Sequence, residues 1–360
     1  MKVILSGGGT AGHINPALAI GKYIEACEPG SELLFVGRKG GMEDRLITRE
    51  GYPMEYIEVE GLKRSLTPAN FRVLQKLFRA RRKCRKIIEA FQPDLVVGTG
   101  GYVCTPIVME AAKMGIKTLI HEQNVVPGVA VKMLAPKASV TAISFEETKD
   151  FLSPKAHCVV SGNPLRESIL SADPTAAKAA VCSDAKPLVL MFGGSLGAEH
   201  MNDALVEMLR EGDIPFHLIA GTGEKHFEGI MKRLEGVDLP KHVELRPYLY
   251  NMDELLAAAD LVVCRAGAVT IGELTALGKA SVLVPSPYVA HNHQEKNARV
   301  LESKGAAKVL TEKDLSGESL RAAITSALAD EAVLSSMQKA AKALGKREAT
   351  RIIYEAVRAQ

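Results

Sequence analysis

Val3-Ile4-Leu5-Ser6-Gly7-Gly8-Gly9-Thr10-Ala11-Gly12-His13-Ile14-Asn15-Pro16 decides the fold class. A short apolar run, long enough for one buried strand, passes directly into G-x-G-x-x-G and then into helical apolar spacing. Asn15-Pro16 reads as a helix cap followed by proline at the first helical position. Glycines let a backbone approach a ligand, and the N–H groups at a helix start favour an anion or an electron-rich sugar oxygen. Thr10, Ala11 and Gly12 are therefore candidate substrate contacts, with a purely structural tight turn as the alternative.

Moving outward, short runs of Val, Ile and Leu recur between helical patterns at 3–6, 33–36, 95–97, 118–121 and 140–143. The rhythm restarts at 188–192 and continues at 217–220, 243–245, 261–264 and 281–284. Runs of this length between helices predict buried parallel strands, so the fold class is α/β with two doubly wound sheets. A chain of 360 residues, 47% apolar, has enough material for two such cores. Ser161-Gly162-Asn163-Pro164 punctuates the junction, which places domains at 1–162 and 163–342. The remainder, 343–360, contains helical apolar spacing at 350–357 and is expected to pack back on the first domain.

A second glycine loop, Gly193-Gly194-Ser195-Leu196-Gly197-Ala198, follows the first strand of the second set. A third strand-to-helix junction is Cys264-Arg265-Ala266-Gly267-Ala268-Val269-Thr270, so two helix starts are available to flank one diphosphate. Ligands of open α/β sheets bind at strand carboxyl ends, and two such edges facing across a cleft would suit a donor and an acceptor. A nicotinamide reading of the first loop lacks the acidic residue expected after the second strand, where Gly37-Arg38-Lys39 stands instead. NADP could use those cations, but it leaves the second set of loops unexplained.

His13 stands just before the expected cap, and an imidazole's near-neutral titration suits proton removal from an attacking hydroxyl. It is the candidate catalytic base; a histidine that only hydrogen-bonds the loop is the alternative. Glu122, in His121-Glu122-Gln123-Asn124, is another candidate base, and His121 with Glu122 would equally shape the turn. Arg166 offers a planar cation for a diphosphate. Ser195 would meet phosphate through hydroxyl and N–H, and Glu273 would accept from ribose hydroxyls. His291 and His293 lack a third convergent ligand, so no metal is expected. Six scattered cysteines without a C-x-x-C pair read as core thiols in a reducing compartment.

Residues 61–88 contain ten Lys or Arg and no Asp or Glu. Leu62, Phe71, Leu74, Leu77 and Phe78 are interleaved with Arg79, Arg82 and their neighbours, a pattern that suits an anionic membrane surface. The alternative is an apolar stripe packed on the sheet beneath solvated cations. Nucleic acid is not the expected partner, because no aromatic stacking platform accompanies the charge. No window is apolar enough to span a bilayer, so contact would be peripheral.

Gly8-Gly9-Thr10-Ala11-Gly12-His13, His121-Glu122-Gln123-Asn124, Gly162-Asn163-Pro164-Leu165-Arg166, the second glycine loop, the Cys264–Thr270 junction and His293-Gln294-Glu295-Lys296-Asn297-Ala298 resemble, in order and spacing, the MurG family of glycosyltransferases. The resemblance spans the chain and implies the GT-B arrangement, with UDP-GlcNAc on the C-terminal domain and a lipid-linked MurNAc-pentapeptide acceptor on the N-terminal one. It implies inverting transfer of N-acetylglucosamine to the muramyl 4-hydroxyl, no cofactor, and peripheral attachment to the anionic inner leaflet at the cytoplasmic face of the cell membrane. It also implies that Asn124 touches the donor sugar and that Leu249 borders uracil. Ala268, Val269, Thr270, Ile271, Gly272 and Glu273 would line phosphate and ribose, and Gln294 would reach the sugar. The family usually has glycine at Ala11, and alanine there implies ordinary backbone geometry. Rival readings are a nucleotide-sugar isomerase of the UDP-GlcNAc 2-epimerase type and a non-catalytic nucleotide-sugar or NADP sensor.

Overall fold

The computed structural model describes residues 1–60, 69–182, 186–194 and 197–360, with side chains except those of 69–74. Two compact units result: Met1–Leu165 together with Glu348–Gln360, and Arg166–Arg347.

The first unit holds seven strands: β1 (Lys2–Ser6), β2 (Glu32–Gly37), β3 (Met54–Tyr56), β4 (Leu95–Gly98), β5 (Lys117–Glu122), β6 (Val140–Ile143) and β7 (Cys158–Val160). Their order is β3-β2-β1-β4-β5-β6-β7, and every pair is parallel. Successive side chains of a strand point to opposite faces, so each strand feeds two cores. Val3 and Leu5 pack with Phe35, Val97 and Leu119 against Ile14, Ile20 and Ile24 of the helix Ala11–Cys27. Ile4 packs with Val36, Val96 and Ile120 against Val103, Cys104 and Ile107 on the opposite face. The last helix, Ala349–Arg358, completes the first of these cores with Ile353 and Val357. Tyr354 fixes it further, edge-on to Tyr23 and donating to Glu28 Oε1 at 2.8 Å.

The second unit repeats the plan with β8 (Leu188–Phe192), β9 (His217–Gly221), β10 (Val243–Arg246), β11 (Leu261–Cys264), β12 (Ala280–Leu283) and β13 (Ala307–Val309). The order is β10-β9-β8-β11-β12-β13, again all parallel. Val189 and Met191 pack with Met201, Leu205 and Met208 from the helix Glu199–Arg210 and with Leu320 and Ile324 from the helix Gly317–Leu328.

One expectation changes. The first helix begins at Ala11, not after Asn15: the Thr10 carbonyl accepts from the N–H groups of both His13 and Ile14. Asn15 is exposed and Pro16 is buried inside the helix. The buried face of the basic helix Ala69–Phe91 is Ala80, Cys84, Ile87 and Ile88, spaced as one helical stripe, while Phe78 is 56% exposed. Arg79 and Arg82 are exposed beside it. Leu62 and the side chains of Phe71 and Leu74 lie outside the described residues. Among the described residues no helix is long and apolar enough to cross a membrane.

Candidate active site

In each sheet the chain reverses its winding next to the first strand, between β1 and β4 and between β8 and β11. The carboxyl ends at such a switch point leave a crevice where ligands of this architecture bind. The predicted glycine loops lie at both.

In the first unit, the β1 loop is drawn onto the end of β4. Thr99 Oγ1 donates to the His13 carbonyl at 2.6 Å. A Cβ at position 7 would lie 2.0 Å from that hydroxyl, so only glycine permits the approach. Ala11 is the first residue of the helix and is not among the residues with positive φ, so its methyl is carried without strain. Thr10 and Ala11 are exposed and Gly12 is half-buried.

His13 sits in the first turn of that helix with Nδ1 3.0 Å from the Gly8 carbonyl oxygen. A carbonyl only accepts, so Nδ1 carries a proton, and in the neutral ring Nε2 is the basic nitrogen. The ring lies against Gly100, where a Cβ would come within 2.7 Å of it.

The other candidate base, Glu122, and its neighbour His121 are held in bonds of their own. His121 is fully buried, with Nε2 donating to Gly162 O at 3.0 Å and Nδ1 accepting from Gln123 Nε2 at 3.0 Å. Burial lowers its pKa to about 4, which keeps it neutral. Glu122 is buried too; its Oε1 accepts from the Asn124 backbone and side chain, and its Oε2 accepts from Gly128 N–H at 2.9 Å. Burial raises its pKa against the pull of those donors. These bonds shape the turn that carries Asn124. Gln123, also buried, donates to Thr99 O at 2.7 Å and thereby ties β5 to β4.

In the second unit a cavity of about 170 Å³ is lined by Arg166, Phe192, Gly194, Tyr248, Leu249, Thr270 and Glu273 among others. Four predicted contacts, Arg166, Leu249, Thr270 and Glu273, thus share one cavity. Arg166 approaches Glu273 at 3.8 Å. Glu273 is nearly buried, and desolvation raises its pKa to about 7 although Arg166 pulls the other way. The helix Ala268–Leu277 starts at Gly267, and its first-turn N–H groups emerge at the end of β11. Val269 and Thr270 are half-buried there, whereas Ile271 packs into the core.

That helix start is braced from behind. Arg265 donates to Val284 O at 3.2 Å and pairs with Glu312 at 2.9 Å, and Asn297 donates to Ala266 O at 3.3 Å. The second glycine loop closes on the end of β9, since a Cβ at Gly197 would lie 2.4 Å from Thr222 O. Asn202 donates to the same carbonyl at 2.9 Å. Ser195 lies outside the described residues. Gln294 accepts from Ser286 N–H at 2.8 Å and so orders the loop after β12. His293 bonds Ala290 O through Nδ1 at 2.8 Å, and among the described residues no three His, Cys, Asp or Glu side chains converge on a metal position.

Sequence reasoning passed over Thr99, although Gly98-Thr99-Gly100-Gly101 is itself a glycine-rich strand end. It also passed over Phe192 and Asn202, whose apolar strand and helix settings give no chemical signal.

Residues 3–143 match the glycosyltransferase family 28 N-terminal domain, and residues 188–353 match its C-terminal domain. The UDP-N-acetylglucosamine--N-acetylmuramyl-(pentapeptide) pyrophosphoryl-undecaprenol N-acetylglucosamine transferase of Acetivibrio thermocellus is 48% identical over 99% of this chain and 98% of its own. The transferase of the same description from Listeria monocytogenes is 45% identical over 99% of both chains. The crystal structure of Acinetobacter baumannii MurG superposes with a TM-score of 0.83 at 28% identity, covering 100% of this chain and 99% of that one. A putative UDP-N-acetylglucosamine 2-epimerase from Listeria monocytogenes, at 15% identity and a TM-score of 0.67 over 99% of this chain and 96% of its own, shares the fold alone. With 48% identity sustained over nearly the full length of both chains, this chain belongs to the MurG family of N-acetylglucosaminyltransferases within glycosyltransferase family 28.

Proposed function

We propose that the chain transfers N-acetylglucosamine from UDP-GlcNAc to the 4-hydroxyl of the muramyl sugar in undecaprenyl-diphospho-MurNAc-pentapeptide, with inversion at the anomeric carbon. The observation that carries the donor half is the convergence of Arg166, Leu249, Thr270 and Glu273 on one cavity at the second switch point. Leu249 borders the uracil, the Glu273 carboxylate accepts from the ribose hydroxyls, and Arg166 with the 268–272 backbone holds the diphosphate. Ser195 completes the phosphate contacts, while Asn124 and Gln294 contact the sugar.

The acceptor half belongs to the first unit, with Thr10, Ala11 and Gly12 at the acceptor. The muramyl oxygen attacks the anomeric carbon as its proton passes to His13 Nε2, and the bond to the UDP oxygen breaks. Charge developing on UDP is met by Arg166 and the helix start. Glu122 positions Asn124 instead of taking the proton.

The 61–88 segment docks on the anionic inner leaflet at the cytoplasmic face. Exposed Phe78 supports this, as do Arg79, Arg82, Lys83 and Lys86, which have no carboxylate partner among the described residues. Lys76, Arg81 and Arg85 are paired with Glu60, Glu110 and Glu89 and contribute less. The test of transfer is UDP release from UDP-GlcNAc with and without a soluble muramyl-pentapeptide diphosphate lipid analogue. Acceptor-dependent release with a disaccharide product is expected, and acceptor-independent turnover would favour the isomerase.

A further inference from the structure

Glu43 is 1% exposed, yet it is a carboxylate in the first turn of a short helix, Met42–Arg49. Its Oε2 accepts from Gly9 N–H and its Oε1 from Arg38 N–H, both at 3.2 Å. Room for it is made by three glycines from three places. A Cβ at Gly8 or Gly41 would lie 2.8 or 2.7 Å from its carboxyl carbon, and one at Gly37 would lie 2.9 Å from its Cγ. The carboxylate therefore sits beneath the β1 loop and ties it to the end of β2. The same loop presents the Gly8 carbonyl that holds His13 Nδ1.

We propose that Glu43 is a positioning residue for the transfer reaction: through the Gly8–Gly9 backbone it fixes the orientation and tautomer of His13. The inference rests on the assignment of His13 as the base. Both Glu43 oxygens act as acceptors, a task a carboxamide of the same shape can do on one side only. Glu43→Gln sets an NH2 against a backbone N–H, and the loop must shift to relieve it. The Gly8 carbonyl then moves off the imidazole. Because Nδ1–H bonding to a carbonyl favours the protonated ring, the acid limb of the kcat/KM profile moves to lower pH.

The experiment measures kcat, KM and pH profiles for the wild type, Glu43→Gln, His13→Ala and the double variant, with UDP-GlcNAc affinity by calorimetry and folding by thermal melting. Expected for Glu43→Gln is unchanged donor affinity, a kcat lower by about tenfold to a hundredfold, and the shifted acid limb. In the His13→Ala background the same substitution should cost nothing further, since both act on one proton transfer. Glu43→Asp, which reaches only one of the two amides, should fall between. An undiminished loss in the double variant, or a loss of kcat with the acid limb unmoved, overturns the positioning role while leaving His13 as base. Full turnover in His13→Ala overturns the base assignment and this inference with it. If Glu43→Gln does not fold, Gly41→Ala displaces the same carboxylate from outside the loop and must give the same lower kcat and shifted limb.

Discussion

With Glu273 as the proposed ribose contact, donor binding should depend on pH. Its carboxyl is nearly buried beside a half-exposed arginine, and desolvation outweighs the Arg166 charge to place its pKa at about 7. A ribose diol is held through acceptors, so the ionised form is the one that binds. At pH 6 about one molecule in eleven carries the carboxylate and at pH 8 about ten in eleven, so the Kd for UDP-GlcNAc should fall about tenfold across that range. UDP-GlcNAc is the ligand to titrate by calorimetry, because its diphosphate is a diester with no proton to exchange there. Glu273→Gln should bind more weakly than the wild type at pH 8 and show a flat profile. Stability runs the other way. The folded group keeps its proton up to about 7 while the unfolded chain releases it near 4.5, so the folded state binds more protons in that window and the empty protein loses about 3 kcal/mol as pH rises through it. A wild-type Kd constant within twofold from pH 6 to 8 would refute the reasoning.

The remaining predictions concern the base, the membrane face and the frame. His13→Ala should retain UDP-GlcNAc affinity and lose about a hundredfold or more in turnover, measured as acceptor-dependent UDP release; unchanged turnover would remove His13 from the reaction. Phe78→Ser combined with Arg79→Glu and Arg82→Glu should weaken sedimentation with anionic vesicles without lowering turnover on a soluble acceptor analogue, and equal binding of the wild type to neutral and anionic vesicles would defeat the docking scheme. Ile353→Ala should cost about 2–5 kcal/mol in denaturant unfolding, because it empties a fully buried site between the last helix and the first sheet. Lys279→Met leaves the Ala257 and Ala259 carbonyls without the buried ammonium that bonds them at 2.6 and 2.9 Å, a loss of about 1–3 kcal/mol by the same assay.

Ten of the thirteen strands among the described residues were legible: nine are central parallel strands, which helices cover on both faces and which must therefore be apolar runs, and the tenth is the edge strand β10. The three that were not, β3, β7 and β13, are three residues each at sheet edges, too short to show a period and only partly covered. The helix start was misread because Asn-Pro is good capping chemistry in isolation. Here the Thr10 carbonyl starts the helix earlier, and the buried Pro16 ring is carried in its second turn. That error matters for the site: His13 belongs to a helical turn, which gives its side chain a firmer base than a loop would. Arg166, Leu249, Thr270 and Glu273 were legible as chemistry next to strand ends, a rule that depends on topology alone.

What the sequence could not display is the set of buried and partly buried polar side chains that hold those strand ends in place. Thr99, Gln123 and Glu43 do so in the first unit, and Asn202, Asn297 and the Arg265–Glu312 pair do so in the second. Each joins segments distant in the chain, so no local pattern reveals it. Apolar burial fixes the sheets but is non-directional, and by itself it leaves a glycine-rich loop free to choose among several conformations. A buried hydrogen bond has one geometry, and breaking it strands a polar group away from water at a cost of about 1–3 kcal/mol. The loops therefore owe their shape to these few bonds more than to the core beneath them. It follows that substitutions at Thr99, Gln123 or Asn202 should impair turnover more than stability, whereas equal-sized losses at Ile4 or Leu190 should do the reverse.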